Sequence, residues 1–292
     1  MAELRSALAS GKISPARRAK DRIFQALCLG AAVLGVILLG VVLWGAVREG
    51  FGSLSSRFFN GYPTASVERA GIKPALIGTL WVVALTLGLS LPIGIAAAIY
   101  LEEIAKKNRI NQFVQANIAN LAGVPSIIYG ILGLATFVRF FGMGSSIIAA
   151  SCTMSLLVMP TVILTTQEAL RTVPKAYREG SLACGATHWQ TLLKMTLPCA
   201  LPPIFTGMIL AASRAIGETA PLLVVGVVAS TREIPQSLRD PYTVLPIQIY
   251  NWSSMPQQEW HDLAAAAIIV LLAMLLSLNA IAIILRNKTK KD

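Results

Sequence analysis

Six apolar runs, separated by charged or proline-rich stretches, set the pattern of this chain. They cover roughly residues 23–47, 75–101, 113–138, 145–166, 200–228 and 263–285. Each reaches or exceeds the ~20 residues an α-helix needs to cross a bilayer. The pattern therefore predicts an all-α polytopic membrane protein with six transmembrane helices. The first run, "IFQALCLGAAVLGVILLGVVLWGAV", is too long for a signal-peptide core and lacks a cleavage site, so it is predicted to be retained. Composition agrees: 55% of residues are hydrophobic, 13% are charged, and the mean hydropathy is +0.65. A soluble domain carries about 25% charged residues.

Charge then orients the helices. The segments 1–22, 102–112, 167–198 and 286–292 hold 17 of the 25 Lys and Arg residues, and 48–74, 139–144 and 229–262 hold 7. Positively charged loops stay in the cytoplasm, so both termini are predicted there. The domain plan is a cytoplasmic segment 1–22, a first helix 23–47, a core 75–285 containing an inner loop 167–198, and a tail 286–292. Because the basic residues flank apolar runs, the net charge of +11 reads as topology rather than nucleic-acid binding.

No enzyme constellation is present. The sequence lacks a GxxxxGK[ST] phosphate loop, HExxH and GxSxG, and His188 and His261 fall on opposite predicted sides. The chain is thus not expected to hydrolyse ATP itself. Cys28, Cys152, Cys184 and Cys199 form no CxxC or zinc-type spacing, so neither a disulfide nor a metal is predicted.

Two connectors are too long to be simple turns. Residues 167–198 have helix-forming composition. Residues 229–262 carry Pro235, Pro241, Pro246 and Pro256 with Tyr250, Trp252 and Trp260. Prolines oppose a long helix there, and the aromatics suit the headgroup interface. An irregular lid anchored at the membrane surface is predicted.

The fifth run contains the charges hardest to place, in "SRAIGETAPLLVVG" at 213–226. On one continuous helix, Arg214 sits near mid-membrane and Glu218 one turn further out, on the same face. Ala211, Ala212, Ala215, Gly217 and Ala220 surround them. Small neighbours suit close helix packing, so the pair is predicted to face the bundle interior. Two roles stay open: a self-neutralising structural salt bridge, or a guanidinium fork presented to a passing anion. In the third run, Gly123 and Pro125 predict an early break or kink beside Tyr129.

The inner loop brings a specific likeness. In "VPKAYREGSLACGATHWQTLLKMTLP", Glu179, Gly185, Leu197 and Pro198 fall in the register of E-A-A-x3-G-x9-I-x-L-P. Gly180 and Ser181 replace the alanines and Met195 the isoleucine. This resembles the EAA loop of ABC importer permeases. Physically, a short helix across the inner face can dock on a soluble partner. Gly180, Ser181 and Ala183 permit close approach, Gly185 can end the helix left-handed, and Lys175, Arg178 and Glu179 supply surface charge.

"AGVPSIIYGILGL" at 122–134, "SRAIGETAPLL" at 213–223 and "LPIQIYNW" at 245–252 narrow the likeness to permeases of the phosphate-specific transport (Pst) type, nearer the PstA than the PstC subunit. The resemblance implies the type I (MetI-like) importer bundle. It implies a PstC-like second permease, two PstB-like ATP-binding subunits and a periplasmic PstS-like phosphate-binding protein. ATP and Mg then belong to the ATPase subunits, with no cofactor on this chain. Arg214, Glu218, Thr219, Ser126 and Tyr129 become candidates for the phosphate pathway. Arg178, Glu179, Gly180, Ser181, Ala183, Gly185, Leu197 and Pro198 become candidates for ATPase coupling. A permease for sulfate, molybdate or another oxyanion is the alternative within the class.

Overall fold

A computed structural model describes residues 15–106, 108–226 and 234–289. The chain divides into two units, Met1–Arg48 and Glu49–Asp292. The first is helical from Pro15 onward, within helix α1 (Pro15–Gly50), and the described part is exposed along almost its whole apolar length. The second unit holds the remaining elements.

Among the described residues, five helices are long and apolar enough to cross a membrane, and a sixth crossing arises if one sharply bent pair counts as a single span. In the second unit, α2 (Ser56–Asn60) precedes α3 (Lys73–Ile99), which continues through a π turn to Ile104. Then come α4 (Arg109–Ala122), α5 (Ser126–Gly133, widening to a π turn through Phe140) and α6 (Ile147–Arg171). The inner loop gives α7 (Lys175–Ala183) and α8 (His188–Thr191). A π turn (Leu192–Thr196) leads into α9 (Leu197–Gly217), followed by α10 (Ala220–Val225), α11 (Leu245–Ser253) and α12 (Gln258–Thr289).

Two of the apolar runs are interrupted, one at the predicted break and one where a continuous helix is predicted. The third is broken: α4 and α5 meet at 102°. Pro125 has no amide hydrogen and forces Val124 out of the helical region, while Asn120 and Leu121 carbonyls are taken up by Gly123 and Val124. The fifth is interrupted at Glu218, whose ψ of 123° is extended. α10 restarts two residues later with Pro221 near its start, where a missing donor costs nothing. The last residues of that run, 227–228, lie outside the described residues.

α3 and α6 form the most extensive helix pair. Small and hydroxylated residues let them approach. Ser151 donates to the Val82 carbonyl (3.4 Å) and Ser155 to the Thr86 carbonyl (3.2 Å), and Gly94 lies against Val162. Such contacts replace the hydrophobic effect as glue between helices in lipid. The central core gathers Val82, Tyr129, Met154, Val158, Ala215 and Tyr242.

Tyr242 belongs to the segment predicted as an irregular surface lid, and here the structure corrects the sequence. Tyr242, Thr243 and Leu245 are wholly buried. The strap of residues 238–245 passes so close to α3 that a Cβ on Gly78 would collide with the Thr243 carbonyl oxygen. The Leu245 amide donates to Thr79 Oγ1 at 2.9 Å. The strap also receives the start of α6, as Ile147 and Ile148 amides donate to the Asp240 and Leu238 carbonyls. Buried backbone must be paired, and these bonds do that without regular structure. Trp252 and Trp260 are likewise buried, packing against each other and, through Trp252, against Phe58, while Tyr250 is exposed. Their partners lie in the 51–72 region, which hydropathy alone does not pair with them. Burial raises the Tyr242 phenol far above its ordinary range, so it stays neutral.

Candidate functional site

Arg214 closes the last turn of α9, where the negative end of the helix dipole favours a cation. Its Nε lies 3.2 Å from Glu218 Oε1. The sequence predicts both residues on one face of a continuous helix. In the structure Glu218 has left the helix, and the break folds its carboxylate back onto Arg214. Ala211, Ala212 and Ala215 are buried, as predicted for the inward face. The pair itself is less enclosed than predicted, with 36% of the Arg214 side chain and 20% of that of Glu218 accessible. A residue at a helix break is not sealed by the turns that follow it.

The second break lies nearby. Tyr129, on α5, is buried and donates its hydroxyl to the Leu121 carbonyl at the end of α4 (2.9 Å). That bond gives the Leu121 carbonyl a second donor beside the Val124 amide and braces the break. Ala215, next to Arg214 in the chain, lies in the same core cluster as Tyr129. Gly130 packs against Pro221 and Val224 of α10, so the two interrupted helices touch where both are interrupted. Thus Arg214 and Glu218 are held together, and Tyr129 lies in the core beside the turn that carries Arg214. Ser126 sits half-buried in the first turn of α5, and Thr219 leads into α10 without a side-chain cap. Among the described residues, no hydrogen bond or ion pair joins either to the Arg214–Glu218 pair.

The inner loop is a braced hairpin. Gly185 adopts φ +86°, and the bonds Gly185 N to Leu182 O and Ala186 N to Ser181 O close a Schellman motif at the end of α7. Thr187 and Gln190 form a reciprocal capping box that starts α8. Ser181 and Thr191 hydroxyls meet at 3.0 Å across the hairpin. Glu179, Gly180 and Ala183 are exposed, as are Lys175, Tyr177 and Trp189. Leu197 packs on the cluster of Ala169, Leu170 and Ile204, and Pro198 sits in the first turn of α9. Arg178 departs from the sequence reading. It turns inward, 2.7 Å from Glu103 of the turn ending α3, rather than remaining a free surface charge. Glu103 was missed because "EE" at 102–103 read only as the charged end of an apolar run. A second ion pair, Arg171–Glu102 at 2.9 Å, ties the end of α6 to the same turn.

Comparison with known proteins places these features in a family. Residues 90–291 match the family described as "Binding-protein-dependent transport system inner membrane component". The chain is 30% identical to the phosphate transport system permease protein PstA of Yersinia pestis over 279 residues, covering 94% of this chain and 92% of that protein. It is 31% identical to PstA of Haemophilus influenzae, over 80% and 82% of the two chains. A probable ABC transporter permease of Bacillus subtilis, YqgH, is 38% identical, with 61% of this chain covering 59% of that protein's length. Among solved structures, a bacterial alginate ABC transporter in complex with an alginate-bound periplasmic protein matches with TM-score 0.63 at 17% identity, covering 90% of this chain and 93% of that one. The MetNI methionine ABC transporter in an inward-facing form matches with TM-score 0.61 at 17% identity, covering 73% and 94%.

Proposed function

The chain belongs to the binding-protein-dependent transport system inner membrane component family, and from that premise we propose that it passes inorganic phosphate into the cytoplasm. It is a multi-pass inner-membrane permease subunit of an ABC transporter, a transport component rather than an enzyme. The likeness to PstA over nearly the whole chain favours phosphate. The observation that carries the reading is the partly accessible Arg214–Glu218 pair near where two broken helices meet.

The chemistry suits a phosphate oxyanion. Glu218 takes the Arg214 Nε–H, which leaves the two terminal nitrogens as a fork for two phosphate oxygens. Near neutral pH phosphate still carries a proton, and the second Glu218 oxygen can accept a hydrogen bond from it. Sulfate carries none and meets only repulsion from the carboxylate. Partial exposure keeps the contact modest, as passage requires. High affinity then resides in a periplasmic PstS-like binding protein.

Energy enters through α7 and α8. Two PstB-like subunits hold ATP and Mg, and their closure moves the EAA-like hairpin, while a PstC-like permease completes the pathway. Both termini lie in the cytoplasm in this arrangement. The test is uptake of labelled phosphate by the assembled importer in vesicles, with excess sulfate or molybdate as competitor. Phosphate uptake that persists under excess sulfate supports the assignment. Accumulation of sulfate or molybdate instead would transfer it to that oxyanion.

A further inference from the structure

Among the described residues, α7 packs mainly on α8 and the π turn that follows it. Toward the membrane helices it is tied by Arg178. A single terminal nitrogen of Arg178 reaches Glu103 Oε1 at 2.7 Å and the Leu170 carbonyl at 2.8 Å. Glu103 stands in the π turn that ends α3, and Leu170 is a fully buried residue in the last turn of α6. One guanidinium therefore touches the ends of the two helices that form the most extensive pair in the bundle.

The character of this contact suits a moving joint. The side chains of Arg178 and Glu103 are 27% and 15% exposed, whereas Arg171 and Glu168 at the rim are 46% and 71% exposed. The inner pair is screened less by water and salt than the rim. Its approach is off the hydrogen-bonding axis of Glu103 Oε1, which has no aligned donor. It holds by charge and so tolerates rotation. Arg178 Nε is buried without a partner, and the side chain borders a cavity of about 440 Å³ with Ile104, Leu182, Trp189 and Thr196. Two π turns, Tyr100–Ile104 and Leu192–Thr196, contribute to its lining. Such turns mark places where a helix departs from regular register.

We propose that Arg178 is a positioning residue that delivers displacement of α7 to α3 and α6, through Glu103 and the Leu170 carbonyl. The inference rests on the reading of α7 as the helix moved by the ATPase subunits. It assigns the direction of that movement to the α3–α6 pair, which the two serine bonds hold together.

The experiment uses the complete importer in vesicles and measures ATP hydrolysed per substrate molecule taken up. Glu103→Gln keeps the shape and removes the charge. Basal ATPase and the amount of assembled complex stay at wild-type levels, and the ATP-to-substrate ratio rises about fivefold, the scale of coupling carried by one contact in such networks. Glu168→Gln, whose side chain is 71% exposed at the rim, changes the ratio by less than about twofold. The exchanged pair, Glu103→Arg with Arg178→Glu, brings the ratio back toward wild type. A wild-type ratio in Glu103→Gln overturns the proposal, as does an equal rise in Glu168→Gln. Loss of assembly in Glu103→Gln also overturns it, since the contact is then structural. The underlying coupling reading fails separately, if Cys184 beside α7 gives no cross-link to any ATPase subunit.

Discussion

At the scale of single residues, the arrangement at the end of α9 turns on how a guanidinium divides its donors. Nε is committed to Glu218, so Arg214→Lys keeps the charge and loses the fork. Hydrogen bonds to charged groups contribute about 1.5–3 kcal/mol, and initial-rate phosphate uptake should fall about tenfold or more. Normal uptake by the lysine variant would remove the two-oxygen contact. Glu218→Gln separates the two roles of the carboxylate. It relaxes the rejection of sulfate if Glu218 reads the phosphate proton, and leaves selectivity untouched if Glu218 only holds Arg214. Arg214 was legible in the sequence because an isolated charge in an apolar run demands a reason. Glu103 was not, because a carboxylate at the end of such a run needs none. Its partner lies 75 positions along, and hydropathy does not report which loop folds back on which helix.

At the scale of elements, glycines and prolines decide where helices stop. Gly185 at φ +86° is the position where an alanine meets the left-handed penalty of about 1 kcal/mol. Gly185→Ala should loosen the α7–α8 hairpin and lower substrate-stimulated ATPase, while the helical circular dichroism of the bundle stays unchanged. This glycine was foreseen from the spacing of the inner loop, and its conformation follows that expectation. The break at Pro125 was foreseen as a kink, but the 102° turn was not, because proline tells where a helix yields and its neighbours decide how far. Pro125→Ala tests whether the turn matters to passage: uptake should fall, and unchanged uptake would reduce the break to packing. The strap over Gly78 was the clearest departure from the sequence. Its prolines and aromatics have the composition of a surface loop, and only the packing around Tyr242 reveals a buried one. Gly78→Ala places a methyl against the Thr243 carbonyl and should destabilise the purified subunit by about 2 kcal/mol or more, overpacking being costly in a dense core. Gly88→Ala, with nothing within 4 Å, is the matched control for thermal unfolding in detergent.

At the scale of the whole molecule, the number of apolar crossings followed from hydropathy, whereas the two interruptions came only partly. Length and polarity report what can enter a bilayer, and broken helices satisfy both criteria. Orientation is tested with thiol chemistry, since Cys184 is exposed on the α7–α8 hairpin. A membrane-impermeant maleimide should label Cys184 in inverted vesicles and leave it unlabelled in intact cells. A cysteine introduced at exposed Ser237 in a background lacking the other thiols should label the opposite way. The reverse pattern would turn the subunit over in the membrane.

The bond between Thr79 and Leu245 also sets a clock on biosynthesis. Its partners are 166 positions apart. At the usual ribosomal pace of 5–20 residues per second, α3 waits on the order of 10–30 s before the strap that covers it has been made. During that interval Thr79 and the bare surface of Gly78 stand in the membrane without their cover, open to quality-control proteases. A nascent chain halted after Gly226 should therefore be degraded faster than one halted after Ser253, a difference that pulse-chase labelling would read directly.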